Sequence, residues 1–323
     1  MSSYLNCGLE SPHAGSWGPW ILGSVLVYIP FCTAIRRHQR QRATRRHGAL
    51  ENMTLDEAYA IKSWMAEHEF PRTFSAALDG VFFKAEAIPS IAKLVFRAAQ
   101  RSSSKPQSSP STSTSPAALL GPPSAPETLA AIARVNRIHA LYRPAGTMSD
   151  TDLLYVLSLF ALEPLRYIQR FEPRAPTREQ RCALATMWRA VGEALRVPFD
   201  PLLLKSHGGG EEEGFRDALH WLDELERWGA EYEMSRREKS VEGVRLARMK
   251  FEKALGGVPW FCKGAARGML AALYDEGFRG VMGIEPPSRT AVVIIETVVC
   301  VRKFLRGYFC SPVALVKGYR RGR

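Results

Sequence analysis

Residues 127–172 read ETLAAIARVNRIHALYRPAGTMSDTDLLYVLSLFALEPLRYIQRFE, and this stretch decides the fold. Apolar residues recur at helical spacing before and after a Pro-Ala-Gly turn at 144–146, which predicts two amphipathic helices. The second helix begins with a capping signal, Ser149 followed by two aspartates, and its apolar run covers about five turns. His139 lies on the first helix. The stretch therefore predicts a core helix pair that carries a histidine.

Helical patterns continue on both sides of this pair. Two capping boxes, T-x-x-E at 54–57 and T-x-x-Q at 177–180, each mark the start of a helix, and the second of these helices runs to about 196. Further helices are predicted at about 73–84, after Pro89, from about 219, at about 259–278 and after Pro287. The run AVVIIETVVCV at 291–301 is β-branched enough for a buried strand, but no alternating pattern occurs elsewhere. The predicted fold class is all-α.

Residues 101–126 differ in composition from the helices around them. This segment contains nine serines, two threonines and six prolines. Such a composition buries too little apolar surface to offset the entropy of ordering the chain. Because helical patterns of one style flank it, we interpret the segment as a flexible insertion and not as a domain boundary.

The segment 17–35 is predicted to be a single transmembrane helix. It holds 19 residues without a charge, enough to span most of a hydrocarbon core of about 30 Å, and it starts with two tryptophans at a membrane interface. Six arginines follow at 36–46, whereas residues 1–16 contain no Lys or Arg. This asymmetry places the N-terminus in the lumen and the body in the cytosol. A cleaved signal peptide would need its basic residues before the apolar core.

These features divide the chain into a lumenal N-terminus, an anchor, a basic juxtamembrane segment, a helical domain and a basic tail. Their predicted bounds are 1–16, 17–35, 36–50, 51–315 and 316–323. The net charge is +12, and ten of these charges lie in the two basic runs at 36–46 and 317–323. A nucleic-acid groove would spread basic residues over the folded body. A nucleic-acid partner is therefore not predicted.

Standard catalytic and metal-binding motifs are absent from the sequence. No GxGxxG, GxxxxGK[ST] or GxSxG is present, and the six cysteines form no CxxC pair. His139 is the best remaining candidate, because it shares a mostly apolar helix face with Val135 and has Arg143 one turn away. That arrangement suits an axial haem ligand beside a propionate partner. The alternative is a buried histidine bonded to a backbone carbonyl.

Several stretches together resemble a known family. They are NMTLDEAYAIKSWMAEHEFPRTFSAAL at 52–78, FFKAEAIPSIAKL at 82–94, RVNRIHALYRPAGTMSDTDLLYVLSLFALEPLRYI at 134–168, GEALRVPFD at 192–200 and HWLDELERWGAEYE at 220–233. They are similar to the fungal ER-bound, MpaB-like oxygenases of mycophenolic acid biosynthesis, which are related to the catalytic domain of rubber oxygenases, or latex-clearing proteins. The resemblance covers about residues 45–315.

The resemblance implies an all-α domain with a b-type haem that cleaves an isoprenoid double bond with dioxygen. It implies that His139, a helix histidine before a glycine turn, ligates the iron. Arg143 or Arg166 would then face the propionates. The distal Arg-Leu-x-x-Thr segment of bacterial rubber oxygenases is replaced here by IPSIAK at 88–93. Glu69 and Lys84 are therefore our predictions for polar groups near bound dioxygen, where a base or donor is needed.

The leading hypothesis is a haem-dependent oxygenase of secondary metabolism, anchored in the ER membrane with its catalytic domain in the cytosol. Its substrate would be a lipophilic small molecule, for example a prenylated one, that is cleaved or otherwise oxygenated. A second hypothesis is a non-catalytic helical membrane protein that binds lipid or a protein partner. A third and weaker one is a nucleic-acid binder. A Soret band in the purified protein separates the first from the others.

Overall fold

The computed structural model describes Pro30 and residues 52–103, 116–202 and 214–308. Within these residues the regular structure is helical and no strand occurs, so the predicted all-α class is confirmed there. The α-helices are α1 (Leu55–Trp64), α2 (Pro71–Ala85), α3 (Pro89–Ser103), α4 (Pro126–Tyr142), α5 (Asp150–Phe171), α6 (Arg178–Ala194), α7 (Ala218–Arg236), α8 (Val241–Ala254), α9 (Lys263–Ala271), α10 (Glu276–Met282) and α11 (Arg289–Tyr308). Shorter elements are a π-helical turn at Met65–Glu69 and 3₁₀ turns at Pro116–Leu120 and Trp260–Cys262.

The central helix of the body is α5, the second helix of the predicted pair. Fourteen of its 22 residues are buried. It packs against α2, α6 and α7, and α1 packs on the outer side of α6. A buried core of leucines and aromatics, including Leu154 and Trp188, joins these helices. A smaller cluster around Phe83 and Phe278 joins the end of α2 to α8 and α10.

The predicted helix starts are confirmed by their capping bonds. Both capping boxes are complete, with Thr54 and Glu57 at α1 and with Thr177 and Gln180 at α6. At α5, the Ser149 hydroxyl accepts a hydrogen bond from the Asp152 amide at 3.0 Å. Each cap satisfies a backbone N–H that the first helical turn leaves free. Local side-chain chemistry is therefore sufficient to place these three helix starts.

The single helix predicted at about 259–278 is wrong in extent. The chain forms a 3₁₀ turn at Trp260–Cys262, then α9, and then a separate helix, α10. The Asp275 carboxylate accepts a hydrogen bond from the Phe278 amide at 2.8 Å and so caps α10. An aspartate in this position begins a new helix better than it continues an old one.

The predicted anchor at 17–35 lies outside the described residues apart from Pro30. Among the helices that the structure describes, none combines the length and the apolar character needed to cross a bilayer. The basic tail at 316–323 and residues 104–115 of the Ser/Pro-rich segment also lie outside those residues. At the end of that segment, Leu119 and Leu120 are buried in the core.

The last helix, α11, is held to the body through a buried carboxylate. Glu172, which follows α5, accepts hydrogen bonds from Arg302 at 2.9 Å, from Arg306 at 2.7 Å and from the Thr73 hydroxyl. The Glu172 side chain is fully buried, whereas the two arginines are about one-third exposed. This one residue therefore connects α5 with both α2 and α11.

We expect Glu172→Gln to lower the free energy of unfolding by about 1.5–3 kcal/mol, the range for hydrogen bonds to charged groups. The amide keeps the shape of the carboxylate but removes the charge that both arginines share. Urea unfolding followed by circular dichroism measures the effect. Glu252→Gln is the control, because Glu252 pairs with Arg267 on the exposed surface, where such a pair contributes about 0–1 kcal/mol. Equal losses in the two variants would contradict the role given to Glu172.

Candidate functional site

A largely apolar cavity opens beside the central helix. It lies between the N-terminal halves of α3 and α5, the C-terminal half of α4 and the C-terminal end of α6. Its volume is about 180 Å³, and it is partly open to solvent. The apolar wall includes Leu94, Val95, Val135, Leu153, Val156, Leu157, Phe160 and Trp188. The polar side chains among the lining residues belong to Ser90, His139, Thr147, Asp152 and Trp188.

His139 lines this cavity from the last turn of α4. Its Nδ1 atom is buried and has no hydrogen-bond partner within the described part of the chain. Burial, and to a lesser extent the positive charge of Arg143, lower the pKa of His139 below its usual value of 6.5. The imidazole is therefore neutral at pH 7. The alternative of a histidine whose Nδ1 is satisfied by a carbonyl does not match this geometry.

The turn after α4 brings further residues to the cavity. Gly146 has a φ of +63°, in the left-handed region that favours glycine. The amide of Gly146 donates to the carbonyl of Arg143 at 3.0 Å, and the amide of Thr147 donates to the carbonyl of Tyr142 at 3.2 Å. The chain thus reverses tightly, and Thr147 and Met148 join His139 in the cavity wall.

Asp152 is a cavity residue that sequence reasoning identified only as a part of a helix cap. Its carboxylate accepts hydrogen bonds from Ser90 at 2.9 Å and from the Tyr232 hydroxyl at 2.8 Å. Burial is the main reason why the pKa of Tyr232 rises to about 12, so this phenol stays protonated as a donor. The sequence does contain a signal for this role: Asp152 lies one helical turn before Val156, so its carboxylate falls on the apolar face of α5.

Arg143 lies one turn from His139 but is not among the residues that line the cavity. Its Nη2 donates to the carbonyl of Arg196 at 2.8 Å, and its Nε lies 2.8 Å from a carboxylate oxygen of Asp150. Asp150 is 56% exposed. An exposed carboxylate partner can exchange with another carboxylate at little cost.

Lys84 and Arg166 are brought together by a shared carboxylate. Glu163, on α5, lies 2.9 Å from Lys84 Nζ and 3.0 Å from Arg166 Nη1. Arg166 also contacts Glu226 at 3.3 Å. Arg166 is thus partly buried and held by two carboxylates. Neither Lys84 nor Arg166 lines the cavity that contains His139.

Glu69 lies in a third place, at the end of the π-helical turn after α1. It accepts a hydrogen bond from Gln180 at 2.8 Å and pairs with Arg174. This carboxylate therefore connects α1 to the start of α6, and it is not among the cavity residues. Of the five residues predicted for the site, the cavity contains His139. The roles predicted for the other four stay predictions.

The donor chemistry of the cavity fits a haem. A neutral, partly buried imidazole with an unused nitrogen suits an axial iron ligand, and apolar walls suit the faces of a porphyrin. The cavity volume of about 180 Å³ is smaller than the roughly 300–1,000 Å³ of cofactor pockets. A porphyrin would therefore extend from the cavity into its open mouth. Within the described residues, no cluster of three or more His, Cys, Asp or Glu side chains suits a bare metal ion.

The lowered pKa of His139 has a consequence for stability that depends on pH. Because the folded state resists protonation of His139, the unfolded state binds more protons as the pH falls below the usual pKa of 6.5. The contribution of His139 to the free energy of unfolding is therefore fully present above pH 6.5 and is lost as the pH falls below that value. We expect the decline to be smaller in His139→Gln, which has no proton to gain. Urea midpoints of the two proteins across pH 5–8 measure the difference, and parallel curves would contradict it.

Three known proteins are similar to this chain. "ER-bound oxygenase mpaB" of Penicillium roqueforti is 32% identical over 228 residues, which are 68% of this chain and 74% of that protein. "ER-bound oxygenase mpaB'" of Penicillium brevicompactum is 28% identical over 306 residues, 92% of this chain and 70% of that protein. "ER-bound oxygenase mpaB" of the same species is 32% identical over 229 residues, 67% of this chain and 56% of that protein. No protein-family model and no solved structure matches the chain.

Proposed function

The chain belongs to the MpaB family of ER-bound oxygenases, and from this premise we propose that it is a haem-dependent oxygenase of the ER membrane. Its substrate is a lipophilic small molecule of secondary metabolism, which it cleaves or otherwise oxygenates with dioxygen. The observation that carries the proposal is the neutral imidazole of His139, whose Nδ1 is buried without a partner among the described residues, in the wall of an apolar cavity.

His139 would bind the iron of haem b through its imidazole, and Arg143 would turn toward a propionate in place of Asp150. Arg166, whose guanidinium contacts Glu163 and Glu226, remains the other predicted propionate partner. When bound, haem b supplies the redox chemistry that activates dioxygen. The chain supplies the ligand, the charge that orients the propionate and the dry wall around the reacting centre.

The walls of the cavity support a lipophilic substrate. Apolar side chains from α3, α5 and α6 dominate them, and a lining of this kind favours an apolar ligand over water. Among the described residues that line the cavity, Asp152 is the one with a carboxylate. Since Ser90 and Tyr232 both donate to it, the Asp152 carboxylate is held in a fixed position at the cavity wall. Roles for Glu69 and Lys84 near dioxygen remain predictions.

The sequence pattern at the N-terminus supports the proposal that the cavity is held near a membrane. The apolar segment 17–35 and the arginines after it are predicted to anchor the chain with its body in the cytosol. A substrate that partitions into the bilayer is concentrated where the anchor holds the cavity. The arginine run would then lie against anionic lipid headgroups.

The experiment that tests the proposed function measures haem in the intact chain. The full chain is purified in mild detergent from cells supplied with a haem precursor, and iron and pyridine haemochromogen are assayed. Equimolar haem b and a Soret band are expected. A folded, colourless chain that also fails to bind added haemin would overturn the proposal. That outcome favours a non-catalytic helical membrane protein whose apolar cavity binds lipid.

A further inference from the structure

The helix α11 exposes many of its large apolar residues to solvent and turns Arg302 and Arg306 toward the body. At roughly 100° per residue, the exposed large apolar side chains occupy one arc of about 140° around the helix. They are Val293, Ile294, Val298, Val301, Phe304 and Leu305. We name this set the α11 stripe. Arg302 and Arg306 lie on the opposite side, where they bind the buried carboxylate of Glu172.

The inward side of α11 also carries apolar residues, among them the buried Ala291 and the half-buried Ile295, so this helix differs from an ordinary surface helix in having an apolar outer face as well. Glu172 fixes the orientation, since rotating α11 to bury the stripe would remove both arginines from a fully buried carboxylate. An unpaired buried charge costs more than an exposed apolar side chain. A contiguous exposed apolar surface of this kind marks an interaction site.

A second exposed apolar pair lies in the same part of the molecule. Trp260 and Phe261 are 84% and 71% exposed, and they begin the 3₁₀ turn that leads into α9. The helix α9 packs against α11. Tryptophan and phenylalanine are favoured at the boundary between lipid headgroups and acyl chains.

The net positive charge of the segments around the α11 stripe indicates which kind of partner it binds. Apart from Arg302 and Arg306, which bind Glu172, residues 260–271 and 289–308 contain four basic residues and one acid, and residues 309–323 add four basic residues and no acid. A second copy of the chain would bring two positively charged surfaces together, which opposes association. An anionic lipid surface instead attracts them, at about 1 kcal/mol for each Lys or Arg near the membrane.

We propose that the α11 stripe and the Trp260–Phe261 pair lie on an anionic bilayer surface, as a membrane contact separate from the predicted anchor at 17–35. The helix lies in the plane of the interface, because Glu296, Arg302 and Lys303 interrupt its apolar sequence and prevent it from spanning. With two contacts instead of one tether, the body keeps one face toward the membrane.

The test places a polarity-sensitive fluorescent amino acid at Val301 of the full chain, reconstituted into phosphatidylcholine–phosphatidylserine vesicles. A matched probe replaces Met234, which is 85% exposed on α7. Emission at Val301 is expected to shift to the blue and to be quenched several-fold more by nitroxide-labelled lipid than emission at Met234. Because both chains keep segment 17–35, the anchor cannot produce this difference.

Two lysine pairs complete the design. Val298→Lys with Leu305→Lys should remove the quenching at Val301, whereas Val241→Lys with Met249→Lys, on the exposed surface of α8, should leave it unchanged. Equal emission at Val301 and Met234 would overturn the proposal. So would a blue shift without quenching by lipid, because protein would then cover the stripe. Haem content is measured in parallel, and its loss or retention bears on the oxygenase proposal alone.

Discussion

A His139→Ala variant of the full chain is expected to lose its Soret band and to bind haem at least about 100-fold more weakly. Changes to residues that merely support a metal ligand already cost about 10–100-fold in metal affinity, and this change removes the ligand itself. Dioxygen-dependent activity should fall with haem content. Haemin titration of the apoprotein, followed at the Soret maximum, measures the affinity directly.

The loss should occur without unfolding, and this separates the ligand role from a structural one. The Nδ1 atom of His139 has no partner in the described part of the chain, so its removal leaves no group there newly unpaired. His68→Ala is the matched control. His68 is exposed and stacks on Trp64 with ring centroids 4.6 Å apart, and it lines no part of the cavity.

A rescue experiment sharpens the same prediction. His139→Gly leaves space for free imidazole, and adding imidazole is expected to restore the Soret band in that variant and to leave the spectrum of His68→Ala unchanged. If both histidine variants keep haem at the level of the parent chain, His139 is not the ligand. The cavity would then have to be assigned to a substrate or a lipid.

Local interactions explain which parts of the fold the sequence predicts well. The caps at Thr54, Ser149 and Thr177 form between residues three positions apart, so the pattern of side chains carries the whole interaction. The apolar residues of α5 recur at helical spacing over its length, and this pattern alone identifies it as a buried helix. Such features need no knowledge of the rest of the chain.

Long-range pairings explain what the sequence leaves open. Glu163 joins Lys84, 79 positions away, to Arg166, and no single-sequence pattern indicates that meeting. Asp152 enters the cavity because α3 supplies Ser90 and α7 supplies Tyr232. The exposed stripe of α11 is a similar case, since an apolar run ordinarily predicts burial. The stripe faces outward because Glu172, at the end of α5, binds the arginines on the other side of α11.

Trp188→Ala should lower the free energy of unfolding by about 3–5 kcal/mol, a larger loss than the one expected for Glu172→Gln. Trp188 is 1% exposed, stacks on Phe160 with ring centroids 5.1 Å apart and forms part of the cavity wall. Its Nε1 atom has no hydrogen-bond partner within the described residues. Its contribution is therefore packing, and its removal extends the cavity into the core beside α5.

Trp64→Ala is the matched control, because Trp64 is 39% exposed and lies at the end of α1. A much smaller change, within about 1 kcal/mol, is expected there. Guanidinium unfolding of both variants gives the midpoints, and an unchanged slope shows that the transition itself is the same. Similar losses in the two variants would mean that Trp188 does not seal the wall against the core. Trp188 would then line the cavity without contributing to the packing of the core beside α5.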